Sequence, residues 1–498
     1  MLGQHSYAGY NRSMTPVTEL ISVRHTDLYI GGGWRPASDQ QRIDVTDPAT
    51  GEVITSVASA TVQDGLAAVE AAHQAFRPWA ARPPRERAEM LRKAFDLMMR
   101  DREKLAELMT RENGKPLAES RAEVAYAAEF FRWFSEEAVR NIGSVSISPS
   151  GANRILVEHQ PIGVSVLVTP WNFPAAMATR KIGPALAAGC TVVLKPASET
   201  PLSALAVADI LEQAGVPKGV VNVIPSKRSS EVVKAMLKDR RVRKLSFTGS
   251  TEVGRILLAQ AAENVISCSM ELGGNAPFIV LDDADLDAAL EGAMIAKMRN
   301  TGQSCIAANR FYAGQRVAEK FASMLARAMG ELPVGNGLDP DVKVGPVIND
   351  PARKKMLGLV DEAAGHGARL LTGGKAPDRP GYFVPPMVIS EVPPDEHILK
   401  EEIFGPIAPV VTFRDVNEAI EFANKTDRGL ASYVYTRDLA KGLAVAEAIE
   451  SGMVGLNRGF ISDPAAPFGG VKQSGIGREG SHEGLLEFLE TKYIATNW

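Results

Sequence analysis

An α/β fold, with parallel sheets covered by helices on both faces, is predicted for this chain. From residue 163 onward, short apolar segments rich in β-branched residues alternate with segments of helical periodicity, which implies parallel strands joined by helices. The 498 residues suffice for about three domains at the usual ~150 residues per domain. A composition of 45% hydrophobic and 23% charged residues is typical of a globular chain with a large core.

The first part of the chain predicts helices, because apolar residues recur there at helical spacing. The segments are 61–80, 84–112 and 116–143. An extended pair follows at 144–148 and 155–160, joined by a turn-rich segment at 149–153.

The alternating region has two runs. In the first, we predict strands at 164–168, 192–194, 220–224, 244–247 and 265–270, and helices at 175–188, 202–213, 231–237 and 253–262. The second run has a strand at 277–281, a helix at 286–299, a loop, a strand at 310–313 and a helix at 317–330. The tail, 483–498, predicts a short helix and a strand without an obvious partner in its own sheet, which suggests an edge shared between subunits.

Several classes of protein are disfavoured by charge and composition. A net charge of -4 argues against nucleic acid as the main partner. No run of 18 apolar residues is present, so we expect no membrane span, and the polar leader 1–24 lacks the pattern of a secretory signal. Met1 and Met14 are alternative native starts. Three scattered cysteines favour a reducing, cytoplasmic setting, and no spacing of Cys or His predicts a metal site.

Candidate functional residues follow the strands of the first run. Ligands of such sheets bind beyond the carboxyl ends of the strands. These ends carry the segments Thr169–Pro174, Lys195–Ser198, Thr248–Ser250 and Glu271–Asn275.

Three of these or nearby side chains have both a chemical and a structural interpretation. Cys305 lies in a polar, Gly-containing loop, which by itself leaves both a nucleophilic and a structural role open, whereas Cys190 and Cys268 are expected in the core. Glu271 is either a solvated strand cap or a general base. Asn172 is either a turn former or an oxyanion donor.

The segment Gly249–Arg255 resembles a phosphate-binding turn at the start of a helix. It is not a P-loop, because Arg255 stands where Lys is required, and no G-x-G-x-x-G follows any predicted strand. The residues alone therefore predict an α/β nucleotide-binding enzyme with a candidate cysteine nucleophile.

Taken together, the motifs resemble those of the NAD(P)-dependent aldehyde dehydrogenase superfamily over residues 28–498. In family order they are Pro170–Pro174, Lys195–Pro196, Phe247–Ser250, Glu271–Gly274, Gly302–Cys305, Glu402–Pro406 and Pro467–Gly470. The resemblance implies two parallel-sheet Rossmann-type domains and a small β oligomerisation element. Their expected boundaries are 25–141 with 162–273 for cofactor binding, 274–473 for catalysis, and 142–161 with 483–498 for a homodimer or homotetramer.

The resemblance also implies roles for the candidate residues. Cys305 attacks the aldehyde, Asn172 and the Cys305 backbone N–H stabilise the oxyanion, and Glu271 activates the hydrolytic water. Residues implied in cofactor binding are Thr169, Pro170, Trp171, Lys195, Ser198, Gly249, Ser250, Leu272, Glu402 and Phe404.

The choice of cofactor depends on Ser198. NAD-selective members of the family commonly have Glu at this position, so its absence favours NADP over NAD. The adjacent Glu199 weakens that inference, because its carboxylate could repel a 2′-phosphate.

The expected substrate is an aldehyde with a carboxylate at its far end. Arg180 and Arg299 occupy positions where members acting on apolar aldehydes have aromatic residues, and two unpaired buried guanidinium groups predict an anionic ligand. With Ser462 and the tunnel residue Phe468, this set looks like that of succinate-semialdehyde dehydrogenases. Glutarate semialdehyde, a broad aldehyde range and a non-catalytic binding role are the alternatives. Ala307 replaces a second cysteine of this group, so no disulfide switch is expected.

Overall fold

The computed structural model describes Leu20 and residues 23–497. The predicted leader 1–24 and the alternative start at Met14 lie almost entirely outside the described residues. Within the described ranges, no helix is both long and apolar enough to cross a membrane.

The strands of residues 23–497 are short and distributed along the whole chain. In order they are β1 (Leu28–Ile30), β2 (Gly33–Arg35), β3 (Arg42–Thr46), β4 (Val53–Ala58), β5 (Ser144–Ile147), β6 (Arg154–Pro161), β7 (Val164–Val168), β8 (Thr191–Lys195), β9 (Val221–Val223), β10 (Val242–Thr248), β11 (Ser267–Glu271), β12 (Ala276–Val280), β13 (Ala308–Gly314), β14 (Arg369–Thr372), β15 (Met387–Ser390), β16 (Ile407–Phe413), β17 (Arg428–Gly429), β18 (Ala431–Tyr435), β19 (Met453–Leu456), β20 (Val471–Lys472), β21 (Gly475–Ile476) and β22 (Leu489–Thr496).

The α-helices of the same residues mostly connect these strands. They are α1 (Val62–Ala80), α2 (Pro84–Arg100), α3 (Arg102–Asn113), α4 (Leu117–Glu137), α5 (Pro174–Ala188), α6 (Pro201–Ala214), α7 (Ser229–Lys238), α8 (Thr251–Ala262), α9 (Leu286–Met298), α10 (Ala318–Gly330), α11 (Asp350–Gly365), α12 (His397–Lys400), α13 (Val416–Asn424), α14 (Leu439–Ala448) and α15 (Ser481–Leu486).

Two large sheets form the centre of the molecule. The first has the order β2-β1-β9-β8-β7-β10-β11-β21. Its five central strands, which are β9, β8, β7, β10 and β11, are parallel. The second has the order β14-β15-β16-β13-β12-β18-β19 and is parallel apart from its edge strand β14. Strands β7 and β12 are buried along their full length, because helices cover both faces of a parallel sheet.

The predicted α/β fold with parallel sheets is confirmed, and its edges need correction. Strands β1, β2 and β21 pair antiparallel in the first sheet, and no strand was expected at β1–β4. The helix predicted at 84–112 is two helices that meet at Asp101. Cys190 is buried as expected, whereas Cys268 is only partly buried, so its assignment to the core was wrong.

A third sheet of three strands stands apart, in the order β22-β6-β5. The C-terminal β22 pairs antiparallel with β6 over its full length, so the tail strand does have a partner within its own chain. The outer strand β5 is exposed throughout and includes Val145 and Ile147. Both outer strands, β5 and β22, therefore have an edge that is free to pair with another chain.

The register of the first sheet brings the candidate segments to one edge. Val168 at the end of β7 lies opposite Lys195 of β8 and Phe247 of β10, and Thr248 lies opposite Glu271 of β11. The loops that follow these strands therefore meet above the sheet.

Candidate active site

A cavity of about 510 Å³ lies where the loops of the two large sheets meet. Its lining combines residues that follow β7, β10 and β11 with residues from the second half of the chain. They are Pro170, Trp171, Asn172, Met177, Thr248, Gly249, Ser250, Thr251, Glu252, Leu272, Gly273, Cys305, Lys355, Glu401, Glu402, Phe404 and Arg428. The structure thus brings most of the predicted cofactor residues together with Cys305.

Cys305 follows a short 3-10 turn, Arg299–Gly302, in an unusual backbone conformation. Asn300 and Thr301 have φ values of 51° and 56°, in the left-handed region that residues with a β-carbon rarely adopt. The turn is held by the side chain of Gln303, which donates to the carbonyl of Pro346 at 3.3 Å and accepts from the N–H of Ile348 at 2.9 Å. Strain kept in place by such contacts is common at functional sites.

Two opposing effects act on the thiol of Cys305. Burial raises the pKa of Cys305 to about 12, and the nearby guanidinium of Arg180 is the main group that opposes this rise. The Glu402 and Glu271 carboxyl groups add to the rise, so a thiolate at this position depends on the positive charge of Arg180.

The side-chain amide of Asn172 faces the Cys305 loop. Its Oδ1 accepts from the N–H of Phe173 at 3.1 Å, and its Nδ2 donates to the carbonyl of Gln303 at 3.2 Å. The amide group is thereby fixed with its N–H end toward the loop. Among the described residues, the backbone N–H of Cys305 has no hydrogen-bond partner.

Glu271 ends β11 as a buried carboxyl group rather than as a solvated cap. Its Oε2 has no hydrogen-bond partner among the described residues. Burial, followed by the repulsion of Glu479, holds the pKa of Glu271 well above its usual range, although Lys181 and Arg180 oppose this. The surroundings of Glu271 therefore favour its neutral form, and the two cations moderate that effect.

A second carboxylate, Glu479, connects Glu271 with two cations. Its Oε1 accepts from Nζ of Lys181 at 2.5 Å, and its Oε2 lies 3.5 Å from Nη1 of Arg180. Nζ of Lys181 also donates to the hydroxyl of Ser246 at 2.9 Å. The side chains of this cluster, Glu271, Glu479, Lys181 and Arg180, are all buried, and charges interact strongly in the protein interior.

At the other end of the cavity, Glu402 is held by a backbone amide and a cation. Its Oε1 accepts from the N–H of Gly274 at 3.0 Å, and its Oε2 lies 3.5 Å from Nη1 of Arg428. Burial raises the pKa of Glu402. Phe404, with a φ of 56°, packs edge-on against Trp171 at 5.4 Å between ring centroids.

The start of α8 forms the floor of the cavity. The hydroxyl of Ser250 accepts from the N–H of Val253 at 3.3 Å and so caps the helix. The buried hydroxyl of Thr248 has no partner among the described residues and is available to a ligand. Gly254 lies directly under Leu272, where a β-carbon would come within 2.5 Å of the leucine side chain.

Three of the predicted cofactor residues lie beside the cavity rather than in its lining. The N–H of Thr169 donates to the carbonyl of Lys195 at 3.2 Å, which joins the ends of β7 and β8. Burial lowers the pKa of Lys195 to about 8. The hydroxyl of Ser198 donates to the carbonyl of Ser226 at 3.2 Å, and Glu199 is exposed.

Arg180 is buried, with 2% of its side chain exposed, but it is not unpaired. Its Nη2 donates to the hydroxyl of Tyr126 at 2.5 Å, and its guanidinium carbon lies 4.1 Å from the ring centroid of Phe468. Although burial opposes the charge, the pKa of Arg180 is raised by Tyr126 and Glu479. The expectation of an unpaired guanidinium was therefore wrong for Arg180, because Glu479 is its counter-ion. Its Nε nevertheless has no partner among the described residues.

Arg299 also lies against the ring of Tyr126. The guanidinium carbons of Arg299 and Arg180 are 5.6 Å and 5.7 Å from the ring centroid of Tyr126. Arg299 also stacks on Phe173 and Phe460, and no described carboxylate lies within salt-bridge distance of it. Ser462 completes the group through a hydrogen bond of 2.5 Å between its hydroxyl and that of Tyr126.

Sequence reasoning missed several residues of this site. Glu479 lies in the segment Gly477–Gly480, and a carboxylate between glycines is the same signal that identified Glu271. Lys355 and Arg428 lie in helix and edge-strand positions where a solvated cation is the ordinary interpretation. Tyr126 lies in the middle of α4 at core spacing, and nothing in the sequence distinguishes it from a packing residue.

Comparison with known proteins agrees with this geometry. Residues 34–494 match the model of the aldehyde dehydrogenase family. A succinate-semialdehyde dehydrogenase of Paenarthrobacter nicotinovorans is 55% identical over 89% of this chain and 98% of its own. A glutarate-semialdehyde dehydrogenase of Pseudomonas aeruginosa and an NADP(+) succinate-semialdehyde dehydrogenase of Escherichia coli are each 50% identical, over 94% and 93% of this chain and 96% of theirs.

Solved structures give the same result for the fold. The crystal structure of a succinate-semialdehyde dehydrogenase from Burkholderia pseudomallei is 49% identical, with a TM-score of 0.93 over 94% of this chain and 97% of that one. By both sequence and fold, this chain belongs to the aldehyde dehydrogenase family.

Proposed function

We propose that this enzyme oxidises succinate semialdehyde to succinate with NADP or NAD, through a covalent intermediate on Cys305. The observation that carries the proposal is the pair Arg180 and Arg299, which both lie against Tyr126 and of which only Arg180 has a salt bridge among the described residues. The relatives that act on succinate and glutarate semialdehydes support the same substrate class.

The lining of the cavity fits a dinucleotide. The capped N-terminus of α8 offers free backbone N–H groups, which suit a pyrophosphate, and the hydroxyl of Thr248 has no protein partner. Glu402 would accept from the nicotinamide ribose, and Lys195 would contact the adenosine ribose. When bound, the nicotinamide supplies an acceptor for the hydride that leaves the aldehyde carbon.

Cys305 attacks the aldehyde carbon after losing its proton. The nearby guanidinium of Arg180 favours the thiolate that makes this attack, against the effect of burial on the pKa of Cys305. The new oxyanion accepts from Nδ2 of Asn172 and from the backbone N–H of Cys305. Each such donor is worth about 3–4 kcal/mol in comparable sites.

Loss of hydride leaves a thioester on Cys305, which water must hydrolyse. Glu271 takes a proton from this water, and the attack releases succinate and restores the thiol. Lys181 and Glu479 lie behind Glu271, so the charge on Glu271 is balanced at this step by the cations of the cluster.

The far carboxylate of the substrate binds between the two guanidinium groups. Arg180 has a free Nε, Arg299 has no carboxylate partner, and the hydroxyl groups of Tyr126 and Ser462 lie beside them. Phe468 lines the path from this clamp toward Cys305. Glutarate semialdehyde is the second candidate, because one methylene group changes binding by only ~1–3 kcal/mol.

NADP is the preferred cofactor in this proposal. Ser198 presents a hydroxyl group and no charge beside Lys195, and Glu199 is exposed, so its carboxylate can turn away from a 2′-phosphate. The Escherichia coli relative that uses NADP(+) supports this preference.

We further propose a homodimer or homotetramer in the cytoplasm, with the domain boundaries expected above. The exposed apolar side chains of β5 and Tyr493 of β22 favour association through the three-stranded sheet. The three free cysteines suit a reducing compartment.

The test is a matrix of kcat/KM values for succinate semialdehyde, glutarate semialdehyde and propanal, each with NADP and with NAD. We expect at least about a hundredfold preference for the semialdehydes over propanal, because a buried charge pair is worth ~2–5 kcal/mol. We also expect NADP to exceed NAD. Equal values for propanal would show a broad-range enzyme, and a Cys305→Ser variant with retained activity would refute the covalent route.

A further inference from the structure

A fully buried ion pair lies behind the proposed oxyanion donor and does not line the cavity. Nζ of Lys115 donates to Oε2 of Glu123, and the two side chains are 0% and 1% exposed. Lys115 follows the end of α3, and Glu123 lies in the second turn of α4. Burying two charges costs several kcal/mol each, and the Coulomb attraction between them often only compensates for that cost. Stability alone is therefore a weak reason for such a pair.

Both members of the pair bind the backbone around Asn172. Nζ of Lys115 donates to the carbonyl of Asn172 at 2.7 Å and lies 4.2 Å from the ring centroid of Phe173. Oε1 of Glu123 accepts from the N–H groups of Ala175 and Ala176, at 3.1 Å and 3.2 Å. These are unpaired donors of the first turn of α5, so the carboxylate also meets the positive end of that helix.

The same carbonyl group connects Asn172 with the Cys305 loop. Nδ2 of Asn300 donates to the carbonyl of Asn172 at 2.8 Å and to the carbonyl of Gln303 at 3.2 Å. Nδ2 of Asn172 reaches the same Gln303 carbonyl at 3.2 Å. This network thus sets the distance between the oxyanion donor and the nucleophile. Among the described residues, Lys115 and Glu123 are its only charged members that contact Asn172 or the first turn of α5.

We propose that Lys115 and Glu123 are positioning residues, which fix Asn172 at the place where the oxyanion forms. They touch neither substrate nor cofactor and act through the backbone of residues 172–176. The inference rests on the proposed role of Asn172. An oxyanion donor must lie within a few tenths of an ångström of its productive place, so a small shift of this backbone lowers the rate of aldehyde attack.

The experiment compares Lys115→Met and Glu123→Gln with the unmodified enzyme. Single-turnover formation of reduced cofactor measures the step that needs the oxyanion hole, and it should slow by about 10- to 100-fold. Alkylation of Cys305 by iodoacetamide, located by peptide mass spectrometry, has no oxyanion and should change by less than about threefold. The dissociation constant of the cofactor should also stay within about threefold. A merely structural role would move all three measurements together.

A double-mutant cycle with Asn172→Ala tests whether the pair acts through Asn172. In the Asn172→Ala background, Lys115→Met should have little further effect on the single-turnover rate, because the donor that it positions is gone. An undiminished effect of Lys115→Met in that background would refute the proposal. If Asn172→Ala itself leaves the rate unchanged, the proposed function of Asn172 fails, which is a different outcome.

Lys244 provides a matched control, because it is an equally buried lysine in a different ion pair. Its Nζ lies 3.1 Å from Oε2 of Glu487, near the start of β10 and away from Asn172. Lys244→Met should lower the Tm without slowing the single-turnover rate. If Lys115→Met does not fold, Glu123→Gln tests the same proposal, because its side-chain amide oxygen can still accept from the N–H groups at the start of α5. A folded Glu123→Gln variant with the unmodified single-turnover rate would overturn the proposal.

Discussion

The two ends of the active site balance charge in opposite ways. At the cofactor end, the carboxylate of Glu402 is matched by a backbone N–H and by Arg428. At the far end, Arg180 and Lys181 share the carboxylate of Glu479, and Arg299 lies among aromatic rings with the buried Glu119 nearby but forms no salt bridge among the described residues. The first end is ready for a neutral ribose, whereas the second has three cations and only one salt-bridged carboxylate among the described residues, and so can take a further negative charge. The difference indicates that the substrate itself supplies that charge.

The largest effect on kcat/KM is expected when both guanidinium groups at the far end are removed. Arg180→Leu combined with Arg299→Leu should lower kcat/KM for succinate semialdehyde by about 10²–10³-fold, the loss expected for a buried charge-assisted contact. Propanal should be affected by less than about threefold. Steady-state kinetics with both aldehydes checks this, and equal losses for both would show that the arginines support the fold rather than the substrate.

The next largest effect is expected on steady-state turnover when Glu271, which belongs to neither end, is replaced. Glu271→Gln should keep the rapid first turnover and slow steady-state turnover by about 10²-fold, since a general base commonly contributes 10²–10⁴-fold. Stopped-flow measurement of reduced cofactor distinguishes the two phases. A lost first turnover would mean that Glu271 is required for thiol attack, before hydrolysis.

A smaller effect is expected at the cofactor end. Glu402→Gln keeps an acceptor beside Gly274 but loses the charge that faces Arg428, so the nicotinamide ribose should be held less accurately. We expect a loss of about tenfold in the single-turnover rate, equal for charged and neutral aldehydes. Unequal losses for the two substrates would show that the two ends are not independent.

The smallest effect concerns stability and pH. Burial holds the pKa of Glu271 above its value in the unfolded chain, so its contribution to stability is complete at low pH and is lost as the pH rises through the folded pKa. Glu271→Gln should therefore leave the Tm unchanged near pH 5 and raise it by about 1–3 °C near pH 9. Thermal unfolding at both pH values checks the sign, and a larger gain at pH 5 would contradict it.

The sequence predicts the central parts of the fold well and its edges poorly. Strand β7 and helix α9 were expected within one residue of their bounds, because buried parallel strands and long periodic helices have strong patterns. Strands β1 to β4 were missed, since strands of three to six residues at a sheet edge or in a hairpin have little periodicity. The break between α2 and α3 was missed because the apolar spacing continues across Asp101.

The candidate site shows the same limit. Of the residues found from sequence, Glu271 ends a strand beside glycines and Cys305 lies in a polar, Gly-containing loop, and in both settings a reactive side chain is conspicuous. Tyr126 and Lys115 lie on or beside helices, and only the tertiary structure brings them to the site. The partner of Arg180 could not be inferred either, because Glu479 is far away along the chain. Glu479 is 298 residues from Lys181, the neighbour of Arg180.

The central claim is that the cations at the far end of the site bind the carboxylate of the substrate, and the unmodified enzyme alone can test it. The measurement is kcat/KM for succinate semialdehyde and for butanal, which have the same number of carbon atoms and differ in the terminal carboxylate. Our account predicts a preference for succinate semialdehyde on the order of 10²-fold or more. Values within a few-fold of each other would contradict the account, because they would show that the carboxylate gains nothing from Arg180 and Arg299.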